Sequence, residues 1–497
     1  QLQLPRMKKH DQKKADPPAS GTQAAPKTGK GFPLASSRRG FMGLSGLALC
    51  DLLTRQSCRG AADETSFSGF GTLEPHFPAR AKRMIFILLD GGLSQVDSYD
   101  YKPRLQKEHG KPLPSSIKSP KFTFAQRGHI IGSPFQWKQW GESGWWASDL
   151  FPRVNAGWID KLCFLHSLHH ENEDHITAMS MLNTGVPREV RPALGNWLLY
   201  GLGSDNGNLP GYVDLTPKEG RTFPTGFLPS SFAGAPILKP SARGEGLRWD
   251  NLTAGFGDQR EHLDFIRSVN GEQDPLVAEL RNRELAFRMQ SVAPEIMELE
   301  RESQATRDLY GIGANHTDEF GRTLLLARRF SEAGVRFVTA THSTSRYGNL
   351  WDQHAGLEKG HRGNANAVDQ PIAALLHDLE ARGMLEDTLV LCGSEFGRTP
   401  SREIFDGQMG RSDDGRDHNP HGFTMWMCGG GTRQGYHHGA TDEYGYYAIQ
   451  DKVSIHDLHA TILHLMGMDH KRLTFHHSGR DYRLTDVFGK VVQEILS

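Results

Sequence analysis

The chain has 497 residues, with 57 Lys or Arg against 58 Asp or Glu and a formal net charge of −1. That balance leaves no electrostatic footprint for nucleic acid or an anionic membrane surface, and the length calls for one large domain with insertions or for two domains. Five cysteines without a Cys-x-x-Cys pair exclude a disulfide scaffold and a zinc ribbon, while 24 histidines leave room for metal or acid–base chemistry.

Residues 1–36 are rich in Lys, Gln, Pro, Ala and Ser without an apolar period, a composition that predicts disorder. Ser37-Arg38-Arg39-Gly40-Phe41-Met42 then leads into an apolar stretch from Gly43 to Leu53. At about 11 residues it falls short of the roughly 20 that a spanning helix needs, so no stable membrane insertion is expected. Paired arginines before a short apolar segment resemble a Tat-type export signal. Residues 1–60 are accordingly read as export signal and disordered N-terminus. The Tat machinery is the expected export partner, and the periplasm or cell exterior the destination.

Residues 61–81 read as a linker into a domain over 82–497. Met84-Ile85-Phe86-Ile87-Leu88-Leu89 is a continuous apolar run stopped by Asp90-Gly91-Gly92, the pattern of a buried parallel strand ending in a tight loop. Residues 100–150, rich in Pro, Gly, Lys and Trp, read as an irregular insertion. A second insertion is expected over about 205–320, carrying a surface helix spaced by Leu276, Leu280, Leu285 and Met289. Further on the pattern alternates. A helix is predicted over 322–333, a strand over 335–339, a helix over 369–382 and a strand over 388–392. A strand over 423–428 and a helix over 455–466 follow. Such alternation predicts an α/β fold, a mostly parallel sheet sandwiched by helices.

The chemistry-bearing residues cluster where those strands end. They are Asp90, then Asp352 and His354 in Trp351-Asp352-Gln353-His354, Glu395 in Gly393-Ser394-Glu395-Phe396-Gly397-Arg398, and His418 in Gly415-Arg416-Asp417-His418-Asn419-Pro420-His421. Each alone is an ordinary loop or cap residue. In open α/β sheets, however, ligands gather at the carboxyl ends of the strands. Carboxylates mixed with imidazoles suit Zn²⁺, Mn²⁺ or Fe, and carboxylates alone suit Mg²⁺ or Ca²⁺.

Leu89-Asp90-Gly91, Asp352-Gln353-His354 with the helix and strand that follow, Glu395, His418 before its strand, and the closing helix Asp457–Leu463 together resemble the alkaline phosphatase superfamily. The resemblance covers about 82 to 490. It implies an alkaline-phosphatase-like fold and one or two divalent ions, with Asp352, His354 and His418 around one ion and Asp90 and Glu395 at the second. A closer resemblance, carried by Gly91-Gly92-Leu93-Ser94-Gln95-Val96-Asp97, Gly397-Arg398-Thr399-Pro400 and Gly415-Arg416-Asp417-His418-Asn419-Pro420, is to a family of exported bacterial proteins of unknown function often labelled sulfatase-like.

The sequence departs from the superfamily at two places. On the helix His175 to Thr184, closed by Gly185, His175 stands where phosphatases carry a Ser or Thr nucleophile. That leaves nucleophile, general acid and metal ligand open for His175, with Thr177 as a substitute nucleophile one turn away. Phe396 stands where a metal-binding His commonly follows the carboxylate, so the second position lacks a ligand unless His175 supplies it. No Cys or Ser followed by x-Pro-x-Arg is present, which argues against formylglycine sulfatase chemistry. His421 is an alternative to His418 as ligand, and Arg398 is either an anion clamp or a structural salt bridge. The resemblance implies a metal-dependent hydrolase of phosphate or sulfate esters acting on a small-molecule or polysaccharide substrate. The alternative is a metal-binding or carbohydrate-interacting protein on the same fold without catalysis.

Overall fold

Residues 83–89 form the strand that the apolar run predicts, and its alternate side chains sit in two different cores. A computed structural model describes residues 73–115, 117, 126–215, 225–237, 261, 263–265, 268, 276–343, 350–405, 408–409 and 415–497. The expected export signal and disordered segment over 1–60 lie outside them. Ile85, Ile87 and Leu89 face one core, and Met84, Phe86 and Leu88 face the other. The period of two in an extended chain sends successive side chains to opposite faces, so a strand covered on both sides must be apolar throughout.

Among the described residues the main sheet has nine strands: β1 (Arg83–Leu89), β2 (Cys163–His169), β3 (Tyr212–Leu215), β4 (Ala235–Pro236), β5 (Phe337–His342), β6 (Thr388–Gly393), β7 (Phe423–Cys428), β8 (Tyr436–His438) and β9 (Val453–Ser454). Their order is β8-β2-β7-β6-β1-β5-β3-β4, with β9 beside β2. Only β7 runs against its neighbours, being antiparallel to both β6 and β2. One face is covered by α4 (Asp318–Glu332) and α5 (Leu357–Ala381), through residues such as Leu324, Leu325, Ile372 and Leu375. The other face is covered by α1 (His175–Thr184), α2 (Leu194–Leu202) and α6 (Ile455–Leu465), through Met179, Leu182, Trp197, Leu458 and Ile462. This is the α/β sandwich expected from the alternating pattern. Among the described residues no helix is long and apolar enough to cross a membrane.

Three expectations need correction. First, Tyr212–Leu215 is not part of an irregular insertion; it pairs with β5 in the main sheet. Second, α3 (Leu276–Met297) is not wholly a surface helix, because Met289, Ala293 and Ile296 enter the core. Third, the end of the expected linker is docked: the backbone N–H groups of His76, Arg80 and Ala81 bond carbonyls of Gly467 and Leu465 at the C-terminal end of α6.

The sheet places the site. Asp90 follows β1, Ser343 follows β5, His170 follows β2 and Glu395 lies just past β6, all at the carboxyl edge. Because β7 is reversed, its amino end lies at that same edge. The short strand Arg416–Asn419, which holds His418 and leads into β7, therefore arrives beside them from the opposite chain direction.

Candidate metal centre

Four side chains converge at this edge. One ligand atom from each of His175, Asp352, His354 and His418 lies within 4.8 Å of the others, and this is the only such group among the described residues. Asp352 is the hub. Its Oδ1 lies 2.8 Å from His354 Nε2 and 3.1 Å from His418 Nε2, and its Oδ2 lies 3.2 Å from His175 Nε2. The two imidazole nitrogens of His354 and His418 face each other at 3.0 Å.

Local sequence explains the placement. Asp174 caps α1 by accepting from Thr177 N at 2.9 Å, and Gly185 closes the helix in the left-handed region at φ 74°. This holds His175 on the first turn. Trp351, fully buried, bonds the Asp90 carbonyl through its backbone N–H at 3.1 Å and fastens the Asp352 loop to the end of β1. The strand Arg416–Asn419 presses against that loop at Gly415, where a Cβ would stand 1.7 Å from the His354 carbonyl oxygen; only glycine fits.

Hydrogen bonding fixes the tautomers of two of these histidines. His418 Nδ1 lies 2.6 Å from the Glu173 carbonyl oxygen, which can only accept, so Nδ1 carries the proton. Burial takes the His418 pKa down to about 4, against the opposing pull of Asp352, so the ring is neutral and its Nε2 presents a lone pair. His175 Nδ1 donates to Glu395 Oε1 at 2.6 Å, and its buried Nε2 has no aligned hydrogen-bond partner although Asp352 Oδ2 is 3.2 Å away. His418 thus points a lone pair toward a carboxylate, and His175 does the same once its ring gives up the second proton that Asp352 and Glu395 favour. Burial alone would raise the Asp352 pKa; Arg398 and the three histidines outweigh it and hold the carboxyl well below the usual range. An arrangement of acceptors facing acceptors is stable only around a proton or a cation. Three imidazole nitrogens and one carboxylate, each ring held from behind by a carbonyl or carboxylate in two cases, fit a divalent metal ion.

The remaining predicted residues stand around this set. Glu395 is fully buried, with Oε2 accepting from Gly91 N at 3.1 Å and Oε1 taken by His175, so it backs a ligand instead of joining the set. Asp90, also buried, accepts from Ser343 Oγ at 2.7 Å and lies outside the four. Of the residues expected at a second position, His175 and Glu395 meet at 2.6 Å while His175 also faces Asp352 at 3.2 Å, and Asp90 is not grouped with them. Phe396 fills the intervening space, its ring stacked on His418 at 4.4 Å and 4.9 Å from His175.

Arg398 is not placed as an anion clamp. Its guanidinium is fully buried and donates to Asp352 Oδ1 at 2.6 Å, to carbonyls of Gly92 (3.0 Å), Arg416 (3.1 Å) and Trp351 (3.2 Å), and to that of Gly91. Thr177 directs its hydroxyl to Asp174, not toward the four ligand atoms. His421 stacks on Tyr447 at 5.4 Å and is not one of the four.

Sequence reading missed two supports. His170 donates from Nε2 to the Glu395 carbonyl at 2.7 Å, its Nδ1 accepting from Asn172 N. Asp97 and Arg416, both fully buried, form a two-pronged pair at 2.8 and 3.1 Å. The Arg-Asp-His run held the second signal, but nothing in the chain pointed from Arg416 to Asp97.

Comparison with curated proteins returns no match. Among solved structures, the PsFucS1 sulfatase from Pseudoalteromonas sp. aligns at TM-score 0.33 and 12% identity over 87% of this chain and 72% of its own. A protein in the alkaline phosphatase superfamily from Vibrio parahaemolyticus aligns at 0.32 and 11% over 85% and 75%, and alkaline phosphatase from the Antarctic bacterium TAB5 at 0.29 and 12% over 78% and 98%. Scores of this size add nothing about the site, whose chemistry stands on the chain's own residues. The model of a family described as protein of unknown function (DUF1501) matches residues 81–496, the whole of the sheet and every residue of the site, and the chain belongs to that family.

Proposed function

We propose that this protein is a metal-dependent hydrolase of phosphate or sulfate esters in the cell envelope, using one divalent ion, Zn²⁺ or Mn²⁺, held by His175, Asp352, His354 and His418. The observation that carries the reading is the convergence of three imidazole nitrogens on the Asp352 carboxylate, with the far nitrogens of His175 and His418 held by Glu395 and the Glu173 carbonyl. A bound ion supplies Lewis-acid stabilisation of charge on ester oxygens and a lowered pKa for water. The chain's own residues do the positioning. Glu395 aims His175, the Glu173 carbonyl aims His418, and Arg398 fixes Asp352. Phe396 excludes water from behind the two rings. Access is from the side where the Asp352 and His354 side chains remain 25% and 32% exposed.

On this reading His175 is a ligand and not the nucleophile, because Glu395 engages Nδ1 and Nε2 faces the set. With the Thr177 hydroxyl bonded to Asp174, water is the attacking group. The test is metal analysis of the purified protein together with assays on generic phosphate monoesters, phosphate diesters and sulfate esters. His175→Ala is expected to lose metal and turnover together. Retained metal with lost turnover would return His175 to a chemical role. The second reading, a metal-stabilised surface protein without turnover, is favoured by the withdrawal of Arg398 from the opening. One equivalent of metal with no turnover on any ester class would select it.

A further inference from the structure

We propose that Arg398 is a positioning residue that sets which ions the site accepts: its buried charge cancels that of Asp352, so only ions that bond strongly to imidazole nitrogen are held, and Mg²⁺ and Ca²⁺ are rejected. The inference rests on the metal reading of the site given above.

The geometry is specific. Among the described residues Asp352 is the one carboxylate paired with Arg398, at 2.6 Å, and the guanidinium has no exposed surface through which water could screen it. Arg416, its neighbour, is already neutralised by Asp97 at 2.8 Å, so Asp97 is not a competing partner for Arg398. Carbonyls of Gly91, Gly92, Trp351 and Arg416 lock the fork in place, so the charge cannot swing away when an ion arrives. Glu395 faces the set through the His175 ring, and Asp90, outside the four, is engaged by Ser343. An incoming ion therefore meets three imidazoles and one neutralised carboxylate.

Hard cations depend on oxygen ligands: Ca²⁺ takes about 6–8, and Mg²⁺ demands octahedral oxygen geometry and sheds water reluctantly. Zn²⁺ binds well to imidazole nitrogen and is stable with four ligands. The positive charge on Arg398 repels every divalent ion alike, and only the nitrogen-loving ones recover enough from the three rings to remain.

The test uses the full chain, stripped with chelator and titrated calorimetrically with Zn²⁺, Mg²⁺ and Ca²⁺, for wild type, Arg398→Lys and Arg398→Gln. Wild type should take one Zn²⁺ and neither hard ion at about 10 mM. Arg398→Lys keeps the charge but loses the fork, so it should still reject the hard ions while zinc affinity falls roughly 10- to 100-fold. Arg398→Gln should acquire Mg²⁺ or Ca²⁺ binding at least tenfold tighter than wild type. A folded Arg398→Gln that loses all ions in proportion would make Arg398 mere scaffold. If Arg398→Gln fails to fold, the wild-type and Lys titrations still decide, because wild type holding Mg²⁺ as tightly as Zn²⁺, or Arg398→Lys admitting it, overturns the proposal. Selective zinc binding without ester turnover would remove the hydrolase reading and leave this inference standing. Binding of no divalent ion would remove both.

Discussion

Replacing Glu395 by Gln separates a residue that aims a ligand from one that is a ligand. Glu395 has no exposed surface, accepts from His175 Nδ1 at 2.6 Å with one oxygen and from Gly91 N at 3.1 Å with the other. A glutamine can accept with only one of its two ends. Whichever way the amide turns, its NH₂ meets a donor, either the His175 Nδ1–H or the Gly91 N–H. A charge-assisted hydrogen bond contributes about 1.5–3 kcal/mol, so its loss from the aimed state of His175 is roughly a 10- to 150-fold loss in metal affinity. Competition for zinc against a chromogenic chelator measures this directly, with circular dichroism as the check on folding. Unchanged affinity in a folded variant would refute the aiming role. A loss beyond about a thousandfold, well past the usual effect of a residue behind a ligand, would make Glu395 a direct ligand, the role expected from sequence.

Three further outcomes follow from the same geometry. Burial alone would lower the His175 pKa, but the Asp352 and Glu395 carboxylates outweigh it and raise it above 6.5. The stabilisation from its proton is full below pH 6.5 and is lost as pH rises through the raised value, whereas zinc uptake improves over that window as Nε2 becomes free. Melting temperature should therefore fall with rising pH in the metal-free protein and rise in the zinc-loaded one; parallel slopes would contradict this. Gly92→Ala places a Cβ 2.9 Å from the Phe396 ring and 3.0 Å from Arg398 Nε at φ +93°, and should cost about 1–3 kcal/mol in urea unfolding along with zinc affinity. An unchanged denaturation midpoint would show that the two walls can part. Asp97→Asn leaves the buried Arg416 guanidinium uncompensated and should cost about 3–5 kcal/mol. A loss under about 1 kcal/mol would mean that the carbonyls around Arg416 suffice without the charge.

Sequence made the central strands legible because both faces of β1, β6 and β7 are buried, which forces unbroken apolar runs. It missed β2, whose run is interrupted by His166 and Ser167, although six of its seven residues are buried. It missed the first three turns of α5 as well. Leu357, His361, Ala365 and Val368 lie buried along that segment at helical spacing, but Gly360, Gly363, two asparagines and Pro371 disguise it. At the site, residue types and strand ends marked Asp352, His354 and His418, and the helix register marked His175. What sequence could not show is direction. Whether Arg398 faces the opening or the interior, and whether His175 joins Asp352 or Asp90, depends on rotamers chosen by tertiary contacts.

On the proposed metal reading, the reversed strand β7 bears on when in folding an ion could be taken up. It brings His418 home from the far side of the chain, and the partners it joins are distant in sequence: His175 and Glu395 are 220 residues apart, and His418 and the Glu173 carbonyl 245. No hairpin or single βα unit contains two of the aimed ligands. Closing loops of that length precedes any reward from the ion, so a nascent or partly folded chain has no pocket for it to enter. On that reading uptake would be a late event in folding, and stoichiometric zinc binding would count the molecules whose sheet has closed.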